Sequence, residues 1–230
     1  MYSEAEFRSQ LNTAIGRRHQ ANHPFIDKFA RGEVKPEAVA GTITEIWYWI
    51  SKLIPEALFS IAANGPQDVV EMEMENYGEE LDPTNPHPAL IQRFAKACGV
   101  SAEQLAAGRG LPTTEAWLRW SLNTCRTEHW IAAVAATHVA SEAQEPVLIN
   151  KILPALRNVY KFSEHDLEFW WLHAEADIEH GGHALNMLAK HCTTKALQDM
   201  AIHWASEGAR NKWMFWDGIN LHYEVGYRLQ

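Results

Sequence analysis

The chain has 230 residues, 47% hydrophobic and 21% charged, so it can bury a large core and is expected to form one domain over residues 1–230. Its 29 acidic residues outnumber 20 basic ones, giving a formal charge of −9 that argues against a nucleic-acid partner. The three cysteines are far apart in sequence, and the N-terminus lacks a signal-peptide pattern. No apolar run reaches the roughly 18 residues that span a bilayer. We therefore expect a cytoplasmic protein without a membrane partner.

Helical periodicity dominates the chain, and alternating runs of Val, Ile and Thr are nearly absent. Proline and glycine mark the predicted ends, since proline removes an amide donor from a helix interior. Helices are predicted, in chain order, at about 3–20, 24–30, 36–63, 67–81, 86–99, 113–142, 164–191 and from 193 onward. This pattern predicts an all-α bundle of about seven or eight helices.

The helix predicted at about 164–191 carries the sharpest chemical signal of the chain. His173, Asp177 and His180 fall within about 60° of one another on a helix that turns ~100° per residue. Imidazole and carboxylate groups on one face are ligands for a transition metal. An acidic, solvated helix face explains this triplet equally well when it is taken alone.

Two further fragments add ligands of the same types. Glu80 and His87 are seven residues apart, but the prolines between them indicate a helix end followed by a loop histidine. Glu142 ends an apolar helix, where an unpaired buried carboxylate would be costly, so it either reaches solvent or meets a cation.

Taken together, these residues resemble the heme-oxygenase-like non-heme diiron oxidases. That group includes the chlamydial para-aminobenzoate-synthesising protein and is related to thiaminase II and pyrroloquinoline-quinone synthase. Its pattern is a Glu and a His on one helix, a Glu on a second, and His-x3-Asp-x2-His on a third. The positions that match it here are Glu80, His87, Glu142, His173, Asp177 and His180. Similar landmarks extend the resemblance along nearly the whole chain, from His23-Pro24-Phe25 to Phe215-Trp216-Asp217-Gly218.

The resemblance implies a heme-oxygenase-like fold, two Fe(II) ions per chain and activation of O2 to oxidise an amino acid or similar small metabolite in natural-product or cofactor biosynthesis. An external reductant can be required, and a homodimer is the form that many relatives take. Three carboxylates and three neutral imidazoles suit two divalent ions, although these ligands do not separate iron from manganese. The Glu-x-x-His pairs of ferritin-like diiron proteins do not occur in the chain.

Substrate-binding candidates lie on the second long predicted helix. Glu45, Tyr48 and Lys52 share one stripe, and Lys52 matches a family position near the active site. A solvated face with a Lys52–Glu56 pair is the competing interpretation. His138 lies one turn before Glu142, where it would either support the metal site or form part of the core.

Departures from the pattern bear on the alternatives. Lys212 stands where thiaminase II has a glutamate, and Val134 or Ala135 where it has its cysteine, which argues against thiamine hydrolysis. A metal-free enzyme of the quinone-synthase or thiaminase type would use general acid–base catalysis. A ligand- or protein-binding module without activity is the third alternative.

Overall fold

The computed structural model describes residues 1–229, with residues 176 and 179 described through their backbone alone. Every regular element in that range is helical, which confirms the all-α prediction. The α-helices are α1 (Glu4–Gly16), α2 (Pro24–Ala30), α3 (Pro36–Leu53), α4 (Glu56–Asn64), α5 (Gln67–Glu80), α6 (His87–Ala97), α7 (Ala102–Ala107), α8 (Pro112–Thr127), α9 (Trp130–Val134), α10 (Glu145–Asn158), α11 (Glu168–His191) and α12 (Lys195–Ile219). Within the same range, 3₁₀ turns occur at Gln20–Asn22 and Glu142–Gln144, and π-helical turns at Ala135–Val139 and Asn220–Val225. None of these helices is both long enough and apolar enough to cross a lipid bilayer.

Some of the long helices expected from the sequence are divided into shorter ones. The helix expected at 36–63 breaks at Pro55, because the residue before a proline is pushed out of the helical region. Ile54 accordingly has φ −91° and ψ 131°, so that α3 ends before it and α4 begins after Pro55. The helix expected at 113–142 breaks at His129, whose side chain accepts the backbone N–H of Ile131 and caps α9.

The proline-rich connection between α5 and α6 agrees with the predicted break. The Asp82 carboxylate accepts hydrogen bonds from both the backbone N–H and the hydroxyl of Thr84, which closes a tight turn. Pro86 then precedes the first residue of α6. This turn leaves Glu80 at the end of one helix and His87 at the start of the next.

Helix α11 occupies the centre of the part of the bundle that carries the candidate ligands. It packs against α5, α6, α10 and the 3₁₀ turn Glu142–Gln144. Helix α12 covers the other side, packing against α1, α8 and the π-helical turn Ala135–Val139. Three fully buried tryptophans, Trp117, Trp170 and Trp216, fill the space between these helices. Polar groups on the facing turns of α5, α6 and α11 are thereby enclosed in a largely apolar interior.

Candidate metal centre

Helix α11 presents His173, Asp177 and His180 along one face, directed into the bundle. His173 is 7% exposed and Asp177 is 5% exposed, so both are withdrawn from water. A solvated helix face would leave these groups in water, so the structure argues against that interpretation for His173 and Asp177.

The first ligand group joins the ends of α5 and α6 to α11. Glu80, His87 and His173 are all buried, and each offers one ligand atom within 4.8 Å of the others. The Oε2 atom of Glu80 lies 3.1 Å from Nδ1 of His87, without the geometry of a hydrogen bond. The rings of His87 and His173 have centroids 4.6 Å apart. The three side chains therefore converge on one point that a cation would fill.

The two imidazoles of this group have nitrogen atoms prepared for a ligand. Nδ1 of His173 lies 2.7 Å from the carbonyl oxygen of Phe169, and because a carbonyl only accepts, Nδ1 carries the proton. Nε2 of His173 then has a free lone pair, and it is buried without a hydrogen-bond partner, as is Nδ1 of His87. Burial lowers the pKa of His173, which favours the neutral form that binds metals.

The second set of predicted ligands, Glu142, Asp177 and His180, is not gathered in the same way. Nδ1 of His180 is 3.6 Å from Asp177, while its Nε2 bonds to Glu79 at 2.7 Å. Glu142 is hydrogen-bonded to Nδ1 of His138 at 2.8 Å. Among the side chains that the structure describes, three or more candidate ligands lie within 4.8 Å of one another only in the first group.

Charge distribution in the second set follows from burial and pairing. Burial raises the pKa of Asp177 to about 8. The interaction with Asp177 is the largest of the effects that raise the pKa of His180 to about 9. Burial alone would lower the pKa of His138, but the carboxylates of Glu142 and Glu73 outweigh it and hold this pKa well above 6.5. In this second set, bound protons and contacts within the protein thus compensate the charges that a cation would otherwise compensate.

An apolar cavity opens onto both sets of ligands. Glu80, Glu142, His173 and Asp177 form part of its wall, and the remainder is largely aliphatic and aromatic, including Trp49, Ile50, Leu53, Trp117, Phe169 and Trp170. Its volume is about 60 Å³, several times the ~10–15 Å³ that holds one water. The cavity therefore offers a largely apolar space beside the candidate ligand atoms.

The predicted substrate-binding residues lie elsewhere. None of Glu45, Tyr48, Lys52 and His138 lines this cavity. Glu45 is completely buried, and it accepts hydrogen bonds from the hydroxyls of Thr114 at 2.6 Å and Tyr223 at 2.9 Å.

These placements bear on the expectation for the stripe on α3. The contacts of Glu45 tie α3 to α8 and to the C-terminal turn, whereas Lys52 is exposed. Tyr48 lines a separate surface groove, and His138 lies behind Glu142, between it and Glu73. The structure places these four residues away from the cavity wall, and their role in substrate binding stays a prediction.

Sequence reasoning missed two buried ionisable residues, one of which lines the cavity. Lys212 is buried and lines the cavity, where its Nζ donates to Glu145 at 2.8 Å. Lys212 stands where thiaminase II has a glutamate, and this departure was the sequence signal that could have placed it at the site. Glu73 is also completely buried, and its place seven residues before Glu80 on α5 was a usable helical spacing.

The donor set fits iron. Imidazole and carboxylate groups with open positions are typical ligands of non-heme iron, and the orphaned buried nitrogens of His173 and His87 are the atoms that such an ion would satisfy. The fixed tautomer of His173 is a further property of metal-binding histidines.

Comparisons with known proteins agree with this chemistry. Residues 48–213 match the model of a family described as iron-containing redox enzymes. A 4-aminobenzoate synthase of Nitrosomonas europaea is 26% identical, over 94% of this chain and 92% of that protein. A 4-chloro-allylglycine synthase of Streptantibioticus cattleyicolor is 21% identical, over 96% of this chain and 85% of that protein.

The fold is shared with solved structures as well. A domain with a heme oxygenase-like fold from Shewanella denitrificans superposes with a TM-score of 0.81 at 16% identity, covering 97% of this chain and 94% of that one. The expected heme-oxygenase-like fold is thereby confirmed. Because the family model spans well over half of the sequence, the chain belongs to the family of iron-containing redox enzymes.

Proposed function

We propose that this chain is a non-heme diiron oxidase or oxygenase that uses O2 to oxidise an amino acid or similar small metabolite in natural-product or cofactor biosynthesis. The ligands of the two ferrous ions would be Glu80, His87, Glu142, His173, Asp177 and His180. The observation that carries the proposal is the convergence of Glu80 with the unpartnered nitrogens of His87 and His173 at the wall of an apolar cavity.

The two halves of the centre would fill in sequence. The first group already has its ligand atoms together, so an ion there displaces no hydrogen bond of His173 Nε2. In the second set, His180 and Asp177 must each lose a proton, and the Glu142 carboxylate must contact the ion as well as His138. We therefore expect tight binding of one ferrous ion and weaker binding of a second.

The residues around the centre would orient a substrate and exclude water. When bound, ferrous iron supplies electrons for the reduction of O2, and an external reductant would restore it. Phe169 and Trp170 place aromatic surface next to His173, which keeps bulk water from the reacting groups. The names of the two relatives describe the formation of small molecules, which supports a metabolite as the second substrate.

An anaerobic titration of the metal-free chain with Fe(II) tests the proposal. We expect two ions per chain, the second bound more weakly, and a transient visible absorption band after rapid mixing with O2. A parallel loading with Mn(II) should give no such band. A chain that holds fewer than two ferrous ions, or His173→Gln and Glu80→Gln variants that load iron as the wild type does, would refute a diiron centre at these residues.

The same titration separates the other classes of protein. A metal-free acid–base enzyme would turn over its substrate in the presence of a chelator, and a binding module would bind without turnover. Neither would consume O2 faster than the same concentration of Fe(II) in buffer alone.

A further inference from the structure

Lys212 lies inside the bundle rather than on its surface. Lys212 is 4% exposed. Its ammonium nitrogen lies 5.0 Å from the ring centroid of Trp49, 4.5 Å from that of Trp117 and 5.7 Å from that of Phe215. Lysine is almost never buried unless it is paired, because an ammonium group loses its hydration. A buried ammonium group at this position therefore requires polar partners, and it points to a functional role.

The partners of Lys212 form a second polar element of the cavity wall. Nζ donates to Oε1 of Glu145 at 2.8 Å and to Oγ of Ser141 at 3.2 Å. The side chains of Lys212 and Glu145 are 5% and 21% exposed, and both residues line the cavity that the metal ligands line. Apart from the candidate ligands, the wall thus carries one positive and one negative charge.

Two further donors of the same wall have no acceptor. The indole N–H groups of Trp49 and Trp170 are buried without a hydrogen-bond partner, and both residues line the cavity. Buried polar groups in folded proteins are nearly always satisfied, so two orphaned donors on one small cavity indicate an acceptor that arrives with a ligand.

We propose that Lys212 and Glu145 bind the carboxylate and the ammonium group of an α-amino acid substrate. The proposal rests on the function proposed above and deepens it by naming the groups that recognise the substrate. The carboxylate would accept hydrogen bonds from Lys212 and from the free indole N–H groups, and the ammonium group would donate to Glu145.

Charge balance favours a zwitterion over a simple acid or amine. A ligand with one charge of each sign gives each member of the buried pair a new partner and leaves the wall neutral. A monoanion or a monocation would leave one charge of the wall without compensation. Because the cavity also borders Glu80, His173 and Asp177, a substrate held at Lys212 and Glu145 has the rest of its skeleton next to the metal ligands.

Isothermal calorimetry on the full metal-free chain tests the proposal. The probes are the twenty common L-amino acids and, for each one that binds, the amine without its carboxylate and the acid without its amino group. We expect at least one amino acid to bind, with both matched compounds at least about 10-fold weaker. Lys212→Met and Glu145→Gln should each weaken amino-acid binding by about 10- to 100-fold, the effect of losing a charge-assisted hydrogen bond.

Two controls keep the outcome interpretable. Lys195→Met removes an exposed lysine of the same helix, paired with Asp199, and should leave binding unchanged. The double variant Lys212→Met/Glu145→Gln removes both buried charges together, so it should remain folded by circular dichroism and bind no amino acid.

The proposal is overturned if no amino acid binds the wild type, or if the matched amine or acid binds as tightly. It is also overturned if Glu145→Gln lowers the iron bound per chain, since Glu145 would then belong to the metal centre. The binding test contains no metal, so its failure is distinct from that of the proposed function. A chain that binds an amino acid through Lys212 but holds no iron would refute the diiron centre alone.

Discussion

Nδ1–H of His173 donates to the carbonyl oxygen of Phe169, 2.7 Å away and one helical turn earlier. That bond fixes both the tautomer and the orientation of the ring, and it leaves Nε2 facing Glu80 and His87 without a hydrogen-bond partner. An unsatisfied buried polar group costs on the order of 1–3 kcal/mol, so the metal-free fold carries this penalty. A bound cation would remove it.

Replacement of His173 by leucine tests this relationship. In the metal-free protein, His173→Leu removes an unsatisfied nitrogen, so the free energy of unfolding in urea should stay within about 1 kcal/mol of the wild type or rise. Fe(II) should raise the melting temperature of the wild type under anaerobic conditions and not that of the variant, because a ligand that binds the native state stabilises it.

The matched control is His203→Gln, at an exposed position of α12, which should respond to Fe(II) as the wild type does. A metal-free His173→Leu protein that loses several kcal/mol would show that the imidazole has a structural role instead.

Asp177 makes the stability of the metal-free protein depend on pH. Its carboxyl group ionises near pH 3.9 in an unfolded chain, whereas burial raises its pKa to about 8 in the folded protein. The folded state therefore holds one more proton between these values, and this group lowers stability as pH rises from about 4 to about 8. Each proton changes the free energy of unfolding by at most about 1.4 kcal/mol per pH unit.

The Asp177→Asn variant should remove this dependence. Its stability relative to the wild type should improve steadily between pH 4 and pH 8, as measured by urea unfolding at a series of pH values in the presence of a chelator. Loss of the Asp177 interaction also lowers the pKa of His180, which acts in the same direction because it weakens the variant mainly at low pH. A difference in stability that does not change with pH would show that Asp177 is ionised in the folded state.

Local periodicity was sufficient to place the candidate ligands that share one helix. His173, Asp177 and His180 follow from the 3.6-residue repeat, because no other element is needed to place them on one face. The proline-rich segment also indicated correctly that the helix breaks between Glu80 and His87, although His87 begins α6 and does not lie in the loop. Their approach to α11 depends on the direction in which the turn at Asp82 sends the chain, and residue spacing does not contain that information.

Contacts between residues that face one another across the bundle could not be predicted from residue spacing. Glu45 shares a helix face with Tyr48, but the pattern does not show that Thr114 and Tyr223 cover that face. Lys212 and Glu145 are 67 residues apart in sequence, and their contact exists only after α10 and α12 have packed. A stripe of polar residues therefore predicts which side chains share one face of a helix. Which residues pack against that face is decided by the tertiary structure.

His138 joins two carboxylates, of which one is completely buried and the other is half-buried. Its Nε2 lies 2.9 Å from Glu73, which is completely buried, and its Nδ1 lies 2.8 Å from Glu142. His138→Ala leaves both carboxylates without this partner, and breaking a buried charge pair typically costs about 3–5 kcal/mol. We expect a loss of that size in the free energy of unfolding. A second change, Glu73→Gln, should recover part of it, since it removes one of the uncompensated charges.

Thr137→Ala is the control for the position next to His138. The hydroxyl of Thr137 donates to the carbonyl of Ala133 within its own helical turn, so its loss should cost about 1 kcal/mol. If His138→Ala costs no more than Thr137→Ala, or if Glu73→Gln lowers the stability of the His138 variant further, His138 does not neutralise these carboxylates.

Adjacent glycines on α11 allow the position of Glu142 to be tested without changing a ligand. A Cβ atom at Gly181 would lie 2.8 Å from the Cα and Cβ atoms of Ala143, which follows Glu142 in the 3₁₀ turn. A Cβ atom at Gly182 would meet nothing within 4 Å. Gly181→Ala should therefore push the turn and Glu142 away from α11, whereas Gly182→Ala should stabilise the helix by about 1 kcal/mol.

Anaerobic titration with Fe(II) distinguishes the two variants. We expect Gly181→Ala to bind the first ferrous ion as the wild type does, because Glu80, His87 and His173 lie on α5, α6 and the earlier part of α11 and not in the displaced turn. It should lose affinity for the second ion at least about tenfold. Gly182→Ala should bind both. Since neither change alters a charge or a ligand, equal loading of two ions by both variants would mean that Glu142 is not required to approach Asp177 and His180, and that the second ion is held in another way.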